Sequence, residues 1–161
     1  MITESDISLA LPSDALAIAA LSRRTIEQGL DWRWTPHRVM NSMADANTNV
    51  VVARRGNDLL GFAIMSYGDD DAHVLLLATQ PRCRRQGVGT ALLAWLEATA
   101  RVAGIGTLRL EARSDNAGAR AFYRRHAFEE VDRRVGYYQG VEDAVRMAKT
   151  LKNAQAEDQG G

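Results

Sequence analysis

Arg82-Cys83-Arg84-Arg85-Gln86-Gly87-Val88-Gly89-Thr90 is the stretch whose reading decides the fold. The apolar run His73-Val-Leu-Leu-Leu-Ala-Thr79 precedes it. Beyond it Val88, Ala91, Leu92, Trp95, Leu96, Thr99 and Val102 recur at helical spacing. A strand, a basic glycine loop and an amphipathic helix therefore follow one another. Glycine suits a backbone that turns tightly or lies close to a ligand. The first turn of a helix offers unpaired N–H groups at the positive end of the macrodipole. Such a loop is a seat for phosphate or pyrophosphate, with Arg82, Arg84 and Arg85 adding charge at its rim. On these residues alone an ordinary strand-to-helix turn is equally allowed. No Gly-Lys-Ser/Thr follows, so the loop is not a Walker motif, and the third glycine of the dinucleotide fingerprint is missing.

A chain of 161 residues reads as one domain, Met1 to Leu151, with a polar, flexible tail over 152–161. At that length about 70% of the unfolded surface can be buried without staples. The net charge is zero, so no global field draws the molecule to nucleic acid or to an anionic membrane. Cys83 is the single cysteine, which excludes an internal disulfide, a cysteine metal site and a dithiol pair. His37, His73 and His126 match no short zinc spacing, and no metal is expected. Met1 to Asp6 lacks the charged-then-apolar pattern of a signal peptide, and no apolar run approaches bilayer-crossing length. The cytoplasm is the expected compartment.

Along the chain, Ile7–Leu11 reads as a short strand, and Pro12-Ser13-Asp14 starts a helix over Ala15–Ile26. Thr35 and Pro36 suit the cap and first position of a second helix, His37–Met43. Val50–Arg54 and Leu59–Tyr67 are strand-like about an Arg55–Asp58 turn. Val74–Ala78, apolar at every position, reads as a mid-sheet strand covered on both faces. The helix Val88–Val102 follows the loop. In Thr107–Ala112, Leu108 and Leu110 share one face while Arg109 and Glu111 share the other. Crossing to it through a helix gives a right-handed, parallel βαβ unit. A helix over Ala117–His126 and an antiparallel pair, Phe128–Val135 with Asp143–Leu151, complete an α/β mixed sheet with helices on both faces.

Two side chains carry chemistry. Glu111 is a lone carboxylate on an otherwise apolar strand. Such a group is either partly wet and able to titrate near neutrality, or held in an ion pair with Arg109 or Arg113. Tyr123 lies on the face of its helix shared with Ala119. Its hydroxyl is either a proton donor or the hydrogen-bonded tip of a core ring.

Order and spacing together resemble the GNAT superfamily of acetyl-CoA-dependent N-acetyltransferases from about Ile7 to Leu151. Arg84-Arg-Gln-Gly-Val-Gly89 resembles its pyrophosphate loop. Leu110-Glu-Ala-Arg-Ser-Asp-Asn116 with Ala121-Phe-Tyr123 resembles the segment bearing its base, its cofactor-contacting Asn and its Tyr acid. Tyr137-Tyr138 and Glu142-Asp-Ala-Val-Arg-Met147 are most similar to the ribosomal-protein-alanine N-acetyltransferase branch. The hairpin Gln139-Gly140-Val141 is shorter than that branch's.

The resemblance implies a GNAT-like, mostly antiparallel sheet with one parallel, splayed strand pair, binding acetyl-CoA and an amine acceptor, as a monomer or homodimer. It implies that Leu77, Ala78 and Thr79 offer backbone groups to the acetyl and pantetheine arm. Arg84, Arg85, Gln86, Gly87, Val88, Gly89 and Thr90 would wrap the pyrophosphate, and Asn116 would bind the cofactor arm. Glu111 would be the base and Tyr123 the acid. Trp32, Trp34, Tyr137 and Tyr138 are candidates for the acceptor entrance, and core packing is equally open to the tryptophans. Three functions follow: acetylation of a protein or peptide N-terminus, acetylation of a polyamine, amino acid or aminoglycoside, and a CoA-binding module without turnover.

Overall fold

Alternation of buried and open side chains places the sheet. In a computed structural model, which describes residues 2–151, the strands are β1 (Ile7–Leu9), β2 (Thr48–Arg55), β3 (Asp58–Tyr67), β4 (Asp71–Thr79), β5 (Thr107–Arg113), β6 (Glu129–Tyr138) and β7 (Glu142–Thr150). The helices are α1 (Ala15–Thr25), α2 (Pro36–Ala44), α3 (Val88–Val102) and α4 (Ala117–Arg125). The tail expected over 152–161 lies outside the described residues. The seven strands run in the order β1-β2-β3-β4-β5-β7-β6. All neighbours are antiparallel except β4 and β5, which the α3 crossover joins in parallel. Among the described residues no helix is long and apolar enough to cross a membrane.

The chain divides into two compact units. One comprises the residues up to Tyr67 with Val74–Leu96, and the other Gly68–His73 with the chain from Glu97 onward. In the first unit α1 and α2 set Ile18, Leu21 and Val39 against Val50, Val52, Phe62 and Ile64. Phe62 and Ile64 are wholly buried, a state worth about 1.5–3 kcal/mol for each such side chain. Thr35 caps α2 by accepting the Arg38 N–H at 3.4 Å, and Pro36 follows at the first helical position. The first strand ends at Leu9 rather than Leu11. Asp14 takes the Leu11 N–H at 2.8 Å and the Arg54 guanidinium at 2.5 Å, which closes a 3₁₀ turn there.

Gly61 is required by close approach. A Cβ there would lie 2.8 Å from the Ala78 carbonyl oxygen and 3.0 Å from Val88 Cγ1, so β3, the end of β4 and the start of α3 meet with no room for a side chain. The β2–β3 ladder bulges at the same place, Ala53 facing Gly61 and Arg54 facing Leu59.

In the second unit the alternation of β5 buries Leu108, Leu110 and Ala112 and leaves Arg109, Glu111 and Arg113 partly open. Phe128 and Met147 complete that core. β6 is the edge strand and is exposed along most of its length. Its ladder with β7 is interrupted between Glu130 and Asp132 and between Arg134 and Tyr138.

β4 differs from the expectation. It is mid-sheet, but only Ala72, Val74, Leu76 and Ala78 are buried, while Asp71, His73, Leu75, Leu77 and Thr79 stay partly exposed. A leucine run fixes a strand's place inside a sheet; it does not require that both faces be closed.

Candidate active site

The glycine loop belongs to the first unit. β4 ends where the Gln80 N–H donates to the Leu60 carbonyl at 2.8 Å and the Gln80 side chain receives Arg24 at 3.0 Å. A 3₁₀ turn over Pro81–Cys83 follows, closed by the Cys83 N–H on the Gln80 carbonyl at 2.8 Å, with Cys83 itself buried. Arg85 (φ 65°) and Gly87 (φ 82°) then both take left-handed backbone. Left-handed residues alternating with others are the backbone pattern of an anion nest, and here the Gln86 N–H between the two donates to the Cys83 carbonyl at 3.3 Å. The helix α3 closes its entry with the Ala91 N–H on the Gly87 carbonyl at 3.0 Å, and its first turn carries the positive end of the macrodipole. Arg84 and Arg85 are exposed and within ion-pair reach of no carboxylate among the described residues. Arg82, expected at the rim, is instead held by Asp58 at 2.6 Å, because the β2–β3 turn brings that carboxylate alongside. Ala78 is buried, and Leu77 and Thr79, on the opposite face of β4, are partly exposed. Trp32 is about one-third exposed, its ring under the Arg23 guanidinium at 4.9 Å. Trp34 lies under Arg38 at 3.8 Å and packs on the core.

A carboxylate not singled out in the sequence orders this tryptophan segment. Glu27 is buried and accepts the Ser22 hydroxyl at 2.9 Å, the Arg33 N–H at 2.7 Å and the Trp34 N–H at 3.0 Å. Its only sequence signal was a glutamate just past the last turn of α1.

The second unit holds the ionisable cluster. Glu111 Oε2 is hydrogen-bonded to His73 Nε2. Arg109 Nη1 stands 3.9 Å from Glu111 Oε1 while Arg109 Nε donates to Asp71 at 2.7 Å. The expected pair with Arg109 is therefore present at long range, whereas Arg113 turns to Asp115 at 3.1 Å. Arg146 faces Glu111 across the β5–β7 ladder. Burial pushes the Glu111 carboxyl up, but the His73 hydrogen bond and charge, with Arg109 and Arg146, outweigh it and hold the group below its ordinary value. Tyr138 donates its hydroxyl proton to the Glu111 carbonyl at 3.2 Å and meets Tyr137 edge-on at 4.9 Å. Burial raises both phenols, and the Glu111 charge adds to the effect.

Tyr123 is buried edge-on between Phe122 at 5.2 Å and Phe128 at 5.5 Å, and among the described residues its hydroxyl has no hydrogen-bond partner. Burial raises it strongly, so it keeps its proton throughout the neutral range. Asn116 caps α4, its Oδ1 accepting the Ala119 N–H at 3.0 Å, which leaves the amide NH₂ as the group able to donate. In the sequence His73 stands as the first residue of the apolar run and as a histidine that matches no short zinc spacing. The signal lay in the half-open rows of β4 and β5, which a parallel crossover makes neighbours.

The sequence pattern of the acetyltransferase (GNAT) family matches residues 17–128. The ribosomal protein bS18-alanine N-acetyltransferase of Escherichia coli (strain K12) is 34% identical over 118 residues, 71% of this chain and 79% of that protein. The crystal structure of the ribosomal-protein-S18-alanine N-acetyltransferase from Escherichia coli superposes with a TM-score of 0.79 at 29% identity, covering 96% of each chain. An aminoglycoside 6′-N-acetyltransferase crystallised with coenzyme A gives a TM-score of 0.76 at 19% identity over 91% of this chain and 97% of that one, a likeness of fold alone.

Proposed function

The chain belongs to the acetyltransferase (GNAT) family, and from that premise we propose that it moves the acetyl group of acetyl-CoA onto a protein or peptide N-terminal α-amine by direct attack in a ternary complex. The observation that carries the acceptor class is the similarity to an enzyme named for acetylating the alanine of a ribosomal protein. Residues 1–151 act in this reading as one acetyltransferase domain.

The loop Arg84–Thr90 seats the diphosphate on main-chain N–H groups, the exposed Arg84 and Arg85 supplying charge. The half-open Leu77 and Thr79, with the backbone of Ala78 between them, take the pantetheine arm, and a β4 N–H receives the oxyanion of the tetrahedral intermediate. The Asn116 amide donates to the cofactor arm. Glu111 takes the ammonium proton of the acceptor, and Tyr123 offers its proton to the departing thiolate. Trp32, Tyr137 and Tyr138 flank the acceptor.

The chemistry favours an α-amine. Glu111 is held below its ordinary value, so it is a weak base, suited to an acceptor that loses its proton readily. An α-ammonium of pKa about 7.7–8.0 is about 10% neutral at pH 7, whereas a lysine-like amine is about 0.04% neutral. Direct attack needs neither metal nor covalent enzyme intermediate, so Cys83 has no chemical part.

The test is a mass-spectrometric screen with acetyl-CoA of peptides beginning with Ala, Ser, Met or Asp against spermidine, free amino acids and kanamycin. Acetylation at peptide α-amines is the expected result. Turnover confined to the small amines would overturn the acceptor assignment, and binding of CoA without any turnover would overturn catalysis.

A further inference from the structure

The two oxygens of Glu111 are not equivalent. Oε2 is engaged by His73 Nε2, while among the described residues Oε1 has only the Arg109 guanidinium at 3.9 Å, beyond hydrogen-bond reach. Arg109 is drawn aside by Asp71, 2.7 Å from its Nε. His73 and Glu111 are largely buried, their side chains 17% and 9% exposed, so water competes little for the bond between them. The Tyr138 hydroxyl on the Glu111 carbonyl fixes the same residue from its backbone. The carboxylate is thus clamped on one oxygen and at its main chain, and left open on the other.

We propose, resting on the reading of Glu111 as the acceptor's base, that His73 is its positioning residue: the imidazole N–H fixes Oε2 and presents Oε1 as the oxygen that takes the acceptor's proton. In that step the ammonium gives one proton to Oε1, directly or through water. The freed nitrogen lone pair forms the C–N bond at the acetyl carbonyl, and the C–S bond electrons leave with the CoA thiolate, which is then protonated. The proton on Glu111 returns to solvent before the next turnover.

The charged and titratable groups facing this pair are Asp71 on β4, Arg109 on β5, Arg146 on β7, and Tyr137 and Tyr138 on β6. None of them replaces the imidazole on Oε2. Without His73, burial would act on the carboxyl with less opposition, and its proton affinity would rise.

The test compares His73→Ala and His73→Gln in the full chain, with an Ala-initiated hexapeptide and acetyl-CoA as substrates. It measures kcat and KM across pH, and acetyl-CoA affinity by calorimetry. His73→Ala is expected to lower kcat about 10- to 100-fold, a part of the about 10²–10⁴ that a general base contributes. The acidic limb of kcat/KM moves to higher pH and acetyl-CoA affinity is unchanged. His73→Gln, whose amide N–H reaches the same oxygen, recovers most of kcat. Should His73→Ala fail to fold, His73→Asn against His73→Gln, amide donors of different reach, gives the same comparison. Wild-type kcat and acidic limb in His73→Ala would overturn the proposal, as would His73→Gln no better than the shorter variant while acetyl-CoA affinity is intact. Glu111→Gln separates the two levels. Full turnover there removes Glu111 as base, whereas loss in Glu111→Gln with none in His73→Ala removes only the role of His73.

Discussion

The loop at Arg84–Thr90 and the strand carrying Glu111 are built of opposite materials. The loop is main chain: two left-handed residues, Arg85 and Gly87, leading into the first turn of α3, with the Arg84, Arg85 and Gln86 side chains exposed and Val88 buried. The Glu111 cluster is side chain: a carboxylate whose state is set by an imidazole and two guanidiniums, on a residue whose carbonyl receives a phenol, the partners arriving from four strands. A main-chain site is fixed by conformation and tolerates change in most side chains except where φ is positive. A side-chain site is fixed by strand register and is sensitive to every member. Binding and chemistry are therefore separable by mutation.

The sharpest way to break that separation is Glu111→Gln, which keeps shape and removes the proposed base. Turnover should fall about 10²–10⁴-fold with acetyl-CoA affinity unchanged, measured by steady-state kinetics and calorimetry. Gly87→Val is the converse. A Cβ at Gly87 meets nothing within 4 Å, so the fold has room for it, but a β-branched residue at φ 82° is strained by about 1–3 kcal/mol. Its side chain would also stand over the nest, and acetyl-CoA affinity should fall about a hundredfold or more while the thermal midpoint shifts by only a few degrees. Equal loss of turnover and affinity in both variants would show that the two regions act as one.

Tyr123→Phe is milder. It deletes a hydroxyl that has no hydrogen-bond partner among the described residues, so stability should hold, acetyl-CoA affinity should be unchanged, and kcat should drop about 10- to 100-fold. Unchanged kcat would remove Tyr123 from the reaction. The smallest effect is alkaline. Tyr123 and Tyr138 are raised by burial in the folded chain and ionise near pH 10 when unfolded, about the free phenol value. The stability they contribute is complete below that pH and lost as pH rises above it. The thermal midpoint should fall beyond about pH 10, and less steeply in Tyr123→Phe; an identical slope would mean that this phenol does not couple to folding.

The same contrast explains what could be read before any coordinates. The Val88–Val102 helix was legible to the residue, because its apolar spacing and the glycines before it are local. The alternation of β5, which separates Leu108 and Leu110 from Glu111, was legible for the same reason. Of the partners of Glu111, Arg109 is legible as its neighbour on the same strand, and the others are not. His73 lies 38 positions away, and only the β4–β5 adjacency brings it near. Arg82 failed likewise: its sequence neighbours suggested a phosphate, but Asp58, 24 positions off, holds it. Periodicity located β4 mid-sheet, yet no periodicity states whether a face is covered. The half-open row of Leu75 and Leu77 came from packing of other segments.

The interrupted ladder of β6 has a consequence for life at high concentration. A straight ten-residue outer strand open to water would invite a second chain to add another layer, and so on toward fibres. Two departures from regular pairing twist this one, and Glu129, Glu130, Asp132, Arg133 and Arg134 stud it with charge, so it offers no continuous template. The last hairpin can therefore stay uncovered without making the protein sticky to itself.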